Sequence, residues 1–155
     1  MDTKIAVLAC NDLFFMPSET NREDRLLFNQ KIQSLISKDY SFVTSSVTYE
    51  TLPPKLKELC SVVRRGEKLP KGQVCVLGGP TFIEGHWQEI SEFYITFIIG
   101  NKSEIGGSFK DPRVLKILRD IKESVGVHDY KCHSFEGKNF YSFGVEYRDD
   151  EKKFV

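Results

Sequence analysis

Short apolar runs of strand length alternate along this chain with segments of helical periodicity, and this alternation restricts the possible folds. The run at 4–10, KIAVLAC, is typical of a strand that is buried on both faces. Residues 22–37 repeat apolar side chains at helical spacing and predict an amphipathic helix. Because strands that alternate with helices form parallel sheets, the sequence predicts an α/β fold around a mostly parallel central sheet with flanking helices.

The other segments continue this alternation and end it with two consecutive strands. Pro53 and Pro54 interrupt a short helical stretch at 48–58, because proline breaks a regular helix. The residues from 132 to 148 form two strand-like runs around a turn at 136–139, which predicts an antiparallel C-terminal edge. We predict further strands at 40–47, 60–65, 74–79 and 92–99, further helices at 81–90 and 112–124, and a loop at 11–20.

Length and charge restrict the classes of function that this chain can have. The chain has 155 residues, which suits a single domain over 1–155. Lys and Arg together number 22, as do Asp and Glu, and this balance argues against a nucleic-acid binder that relies on bulk positive charge. No apolar run approaches the roughly 20 residues that cross a bilayer, and the apolar start is too short for a signal peptide. We therefore expect a cytoplasmic monomer without membrane or nucleic-acid partners.

The four cysteines indicate neither a disulfide framework nor a metal site. Cys10, Cys60 and Cys75 lie in or beside apolar runs, and no two cysteines form a CxxC pair. Cys132 is followed directly by a histidine, but no second pair of ligands accompanies it. We expect reduced thiols in a core and no bound metal.

A carboxylate at the start of the predicted helix 22–37 is the first candidate for chemistry. Asp24 falls in the first turn of that helix, and Phe28 follows four residues later on the same face. Two interpretations stay open. The helix dipole favours a carboxylate at this position without any further role. Alternatively, Asp24 faces a pocket, where charge-assisted hydrogen bonds hold the amino-pyrimidine edge of a flat ligand beside the aromatic ring.

Three further features lie at or near predicted strands, whose carboxyl ends form the ligand crevice in such sheets. Gly78–Gly79 follow a strand and precede a helix, which favours either a tight turn or a phosphate site. Arg64–Arg65 at a strand end form either a solvated pair or a phosphate clamp. Thr96 lies inside a buried strand, so its hydroxyl needs a partner, which is either a backbone carbonyl or Asp24.

Six stretches occur in an order that resembles one family. KIAVLACNDLF at 4–14 is similar to that family's first strand, NREDRLLF at 21–28 to its acidic residue with phenylalanine four places on, and SSVTYETLP at 45–53 to its cofactor motif. VCVLGGPTFIE at 74–84, EFYITFI at 92–98 and FYSFGVEYR at 140–148 are similar to its glycine-pair strand, its threonine-bearing strand and its last strand. The chain resembles the dihydrofolate reductases, with some similarity to the reductase domain of riboflavin biosynthesis.

This resemblance implies a dihydrofolate-reductase-like fold and an NADPH-dependent oxidoreductase. The implied reaction reduces dihydrofolate to tetrahydrofolate by hydride transfer, a step of one-carbon metabolism, while the protein orients the two rings. Asp24 would anchor the pterin and Thr96 would fix Asp24 as the catalytic pair. The implied substrate-binding residues are Ile5, Ala6, Phe28 and Lys57, with Lys55 competing for the role of Lys57. The implied cofactor-binding residues are Ala6, Ser45, Ser46, Thr48, Arg64, Arg65, Gly78, Gly79 and Thr81.

Two alternatives stay open, because the chain departs from the family pattern. Ser45–Ser46 stand where the family has Gly-Arg, the loop before Asp24 lacks the usual tryptophan, and Pro80–Thr81 after the glycine pair are closer to the riboflavin-pathway reductases. One alternative is a related reductase that acts on another pterin or on a pyrimidine. The other is a non-catalytic binding or structural protein that retains the fold, since a fold does not determine a function.

Overall fold

The fold is taken from a computed structural model. It describes residues 2–11, 14–16, 22–100 and 107–146, and within 22–29 it describes the backbone but not the side chains. The predicted loop at 11–20 lies mostly outside the described residues.

Seven strands and five helices occur in the described part of the chain. In order they are β1 (Lys4–Asn11), α1 (Arg22–Ser37), β2 (Ser41–Thr44), α2 (Ser46–Thr51), α3 (Pro54–Leu59), β3 (Cys60–Val62), β4 (Val74–Leu77), α4 (Pro80–Gly85), β5 (Glu92–Ile99), α5 (Pro112–Ser124), β6 (Tyr130–Phe135) and β7 (Lys138–Glu146).

The strands form one sheet in the order β3-β2-β4-β1-β5-β7-β6. Every neighbouring pair is parallel except β6 and β7, which are antiparallel at one edge. The turn that joins β6 to β7 has positive φ at both Glu136 and Gly137, the geometry that matches the twist of a two-residue hairpin. The prediction of a mostly parallel sheet with an antiparallel edge is confirmed.

Several predicted boundaries are wrong at the carboxyl ends of the strands. The strand predicted at 40–47 ends at Thr44, because Ser45 caps the next helix. The strands predicted at 60–65 and 74–79 end at Val62 and Leu77, and the helix predicted at 81–90 spans Pro80–Gly85. The stretch at 48–58 is two helices, since Pro54 provides the first residue of α3.

Helices cover the two faces of the sheet unequally. α4 and α5 pack on one face, where Trp87, Phe93 and Phe140 form an aromatic cluster with Phe93 and Phe140 stacked at 4.7 Å between ring centroids. α1 packs on the other face, where Ile32 and Leu35 join a second apolar cluster with residues of β1, β2 and β4. None of the described helices is long and apolar enough to cross a membrane.

The cysteines and one buried histidine have purely structural surroundings. All four cysteines are free, and burial raises the pKa of the Cys10 thiol to about 12. His86 is buried, with its Nδ1 2.7 Å from Glu89 Oε2, and the other oxygen of Glu89 accepts a hydrogen bond from the Leu69 N–H. These bonds tie the segment that follows α4 to the loop between β3 and β4.

Gly144 in β7 must be a glycine because the backbone at 126–129 comes very close to it. The His128 N–H donates to the carbonyl of Gly144 at 2.7 Å, and the Gly144 N–H donates to the carbonyl of Asp129. A Cβ at Gly144 would overlap the carbonyl group of Gly126. The position therefore accepts no side chain unless the backbone at 126–129 moves.

Candidate functional site

The topology brings most of the predicted cofactor-binding residues to one edge of the sheet. β3, β2 and β4 are parallel neighbours, so the segments that follow them emerge side by side. We refer to this region as the carboxyl edge. It contains Ser45, Ser46 and Thr48 after β2, Arg64 and Arg65 after β3, and Gly78, Gly79 and Thr81 after β4.

The two glycines at the carboxyl edge differ in what surrounds them. A Cβ at Gly78 would lie 2.7 Å from Cδ2 of Phe82, so packing of α4 explains this glycine. A Cβ at Gly79 would meet no heavy atom within 4 Å. Gly79 precedes the first residue of α4, Pro80, and its backbone is extended, with φ −79° and ψ 177°. Gly79 thus leaves main chain accessible where the sequence predicted a cofactor.

The carboxyl end of β2 carries one buried hydroxyl that has no partner among the described residues. Ser45 Oγ accepts a hydrogen bond from the Thr48 N–H at 3.2 Å and so caps α2, while Ser46 is exposed. Thr44, the last residue of β2, is completely buried, and in the described part of the chain its Oγ1 has no hydrogen-bond partner. Leaving such a group unpaired is costly, so this end of β2 has unused hydrogen-bonding capacity.

The two arginines after β3 are exposed at the end of the carboxyl edge. The Arg64 N–H donates to Glu67 Oε1 at 2.6 Å, which closes a tight turn just after the strand. Among the described residues, neither guanidinium of Arg64 or Arg65 forms a salt bridge. Both groups are available to an anionic ligand.

Thr96 lies on the α1 face of the sheet, apart from the carboxyl edge. It pairs in register with Ala9 and lines a cleft with Val7 and Lys31. The ammonium of Lys31 sits 3.6 Å from the ring centroid of Tyr94, two residues before Thr96. This contact locates the middle of α1 over β5.

The helical repeat then places the start of α1 relative to Thr96. Asp24 precedes Lys31 by seven residues, so the two positions share a helix face, about 10 Å apart. α1 connects parallel strands and therefore runs antiparallel to them. Thr96 lies about 7 Å beyond Tyr94 along the strand, a rise that a helix covers in four to five residues. The helix positions level with Thr96 fall between Asp24 and Phe28, whose side chains lie outside the described part of the structure.

The remaining predicted substrate residues are placed elsewhere. Ile5 and Ala6 are buried in β1 and pair with the first two residues of β5, three or more positions from Thr96. Lys57 in α3 pairs with Glu50 at 3.7 Å, ahead of β3. β3 is four strands from β5, roughly 19 Å at ordinary strand spacing. The structure does not bring these residues to Thr96.

Sequence reasoning missed the residues that define the cleft around Thr96. Lys31, Tyr94, Tyr141 and Phe143 line it, together with the exposed Tyr130. The period-2 alternation in β5 and β7 was the available signal, because residues two apart in a strand share a face.

Comparison with protein-family models finds no match to this chain, and comparison with curated proteins finds none either. Within the described residues, no group of three or more His, Cys, Asp or Glu side chains could hold a metal ion.

Proposed function

We propose that this chain is an NADPH-dependent reductase of dihydrofolate or of a closely related pterin. The observation that carries the proposal is the placement of the first turns of α1 level with Thr96. The Lys31–Tyr94 contact and the helical repeat support a position of residues 24 to 28 over β5, where Thr96 faces α1. A carboxylate and a threonine hydroxyl at this place suit recognition of an amino-pyrimidine edge.

The carboxyl edge has features that fit an anionic dinucleotide. Open main chain at Gly79, the unpaired hydroxyl of Thr44 and the exposed Arg64 and Arg65 lie on neighbouring parallel strands or directly after them. Arg64 or Arg65 would hold a phosphate on the adenosine, and Gly79 would border the cofactor. When bound, the cofactor supplies the hydride.

The protein's own groups would bind, orient and polarise the substrate. Asp24 would accept hydrogen bonds from the amino group and ring N–H of the pterin, and its charge would favour the positive charge that develops on the ring during reduction. Thr96 would donate a hydrogen bond to Asp24 and hold the carboxylate in the plane of the ring. Phe28 would pack against the flat substrate.

A second candidate is a binding protein that has lost catalysis. Two features of the carboxyl edge have sufficient structural explanations without a cofactor: Ser45 caps α2, and Gly78 makes room for Phe82. Such a protein would bind a pterin or a nucleotide without turnover.

The test is oxidation of NADPH on addition of dihydrofolate, followed by its near-ultraviolet absorbance. We expect turnover that an antifolate stops. Asp24→Asn should fold and bind NADPH but lose about 100-fold in turnover, in the range for one electrostatic group. This defect should shrink at low pH, where the substrate is already protonated. Asp39→Asn is the matched control, because Asp39 is exposed and asparagine tolerates its positive φ.

Full activity of Asp24→Asn would show that Asp24 acts only as a charge at the start of the helix. NADPH and pterin binding by the unaltered protein without turnover, across several pterins and pH values, would favour the binding protein.

A further inference from the structure

One part of the sheet carries aromatic side chains that no described helix covers. On the α1 face, Tyr94 of β5, Tyr141 and Phe143 of β7 and Tyr130 of β6 lie in neighbouring register positions. α4 and α5 pack on the opposite face, and α1 reaches only as far as β5. We call the space between α1 and these rings the aromatic cleft.

The rings of the aromatic cleft are held in fixed relative positions. Tyr94 and Tyr141 stack with centroids 4.8 Å apart and planes 15° from parallel. Tyr130 and Phe143 pack at the same centroid distance in a tilted arrangement. The Tyr94 hydroxyl donates to Glu92 Oε1 at 3.2 Å. A flat ligand would therefore meet a formed surface and would order few side chains on binding.

Among the described side chains of α1, Lys31 lines the cleft. Lys31 Nζ lies on the face of the Tyr94 ring, and no carboxylate of the described residues is within salt-bridge distance of it. Burial and the neighbouring Lys38 lower the pKa of Lys31, whereas Glu92 and Cys75 act in the opposite direction. Glu92, whose charge acts on Lys31, accepts a hydrogen bond from the Tyr94 hydroxyl. An anion that enters the cleft would give the ammonium a partner.

The size of the cleft suits a ligand with one ring. Its volume is about 190 Å³, and an apolar cavity of about 150 Å³ suffices for benzene. We propose that the aromatic cleft binds a small aromatic carboxylate, with its ring among Tyr130, Tyr141 and Phe143 and its carboxylate paired with Lys31. This site is separate from the carboxyl edge but shares Thr96 with the pterin site proposed above. Binding of the carboxylate does not depend on reductase activity.

Calorimetric titration with benzoate tests the proposal, with benzyl alcohol as a neutral probe of similar shape. We expect benzoate to bind the full chain at least about tenfold more tightly than benzyl alcohol. Lys31→Met keeps an unbranched apolar stem in α1 but removes the charge, so it should abolish this preference and leave binding of benzyl alcohol unchanged. Lys116→Met, at an exposed position of α5 on the opposite face of the sheet, should leave both affinities unchanged.

Nuclear magnetic resonance locates the bound probe through the ring signals of Tyr130 and Tyr141. Shifts of these signals on addition of benzoate support the proposal. It is overturned if folded protein binds the two probes equally, if Lys31→Met retains the preference, or if benzoate leaves these signals unmoved. Pterin turnover is no part of these measurements, so failure of the reductase function would not affect their outcome.

Discussion

A valine at position 79 should close the carboxyl edge to a ligand without disturbing the fold. A Cβ at Gly79 enters open space, and its extended backbone suits valine. Replacing glycine at a compatible position also restricts the unfolded chain, which contributes about 0.4–1 kcal/mol. For a chain of this length, we therefore expect the melting temperature of Gly79→Val to stay equal or to rise by about 1–4 °C.

The same valine should weaken NADPH binding by more than about tenfold. Its methyl groups would occupy the space where a cofactor meets the main chain. Loss of the contacts of about two methylene groups, each worth about 0.8 kcal/mol, is enough for a tenfold change. Isothermal titration gives the Kd, and circular dichroism gives the melting temperature of the same samples. An unchanged Kd for NADPH in the folded variant would refute a cofactor site at Gly79.

Two neighbouring glycines serve as matched controls for that experiment. Gly85→Ala also places its Cβ in open space, at the last residue of α4, so it should raise stability by a similar small amount and leave NADPH binding unchanged. Gly78→Ala forces the Phe82 ring to move and should cost about 1–3 kcal/mol of folding free energy. A stable Gly78→Ala protein would contradict the packing explanation of this glycine.

Three further predictions concern stability and cofactor choice. Gly144→Ala should destabilise the protein by about 3 kcal/mol in urea unfolding, because its Cβ meets the backbone of Gly126; a change near zero would contradict that contact. Burial alone would raise the pKa of Glu89, but hydrogen bonds from a buried imidazole and a backbone N–H outweigh it, so the pKa is held below its usual range. The stabilisation by ionised Glu89 should be complete above the unfolded pKa of about 4.3 and lost as the pH falls through the lower folded pKa. Glu89→Gln should abolish this pH dependence of the unfolding free energy. Identical pH profiles of the two proteins would contradict the role of Glu89. Replacing Arg64 and Arg65 together by serine should remove a preference for NADPH over NADH in binding assays, and equal binding of both cofactors by the unaltered protein would rule out the phosphate clamp.

Local periodicity was sufficient to predict most elements of this fold. The buried run of β1, the helical repeats of α1 and α5 and the paired strands around Glu136–Gly137 are confirmed. These signals arise within about 15 residues, because a helix or strand buries its apolar side chains at its own period. The errors fall at Thr44, Val62 and Leu77. Capping by Ser45, the turn at 64–67 and the glycine pair follow these residues, so the strands end earlier than hydrophobicity indicates.

Sequence and tertiary structure contributed differently to the candidate site. Strand alternation alone directed attention to the carboxyl ends of strands, and so to Arg64 and Gly79, because ligands of parallel sheets bind at those ends. Ser45 was a candidate only through the family resemblance. Only the packed structure showed that Gly78 is explained by Phe82, that Lys57 is paired with Glu50, and which rings share a cleft with Lys31. Each of these contacts depends on how the helices pack on the sheet. A single sequence carries no local signal for the packing position of a helix.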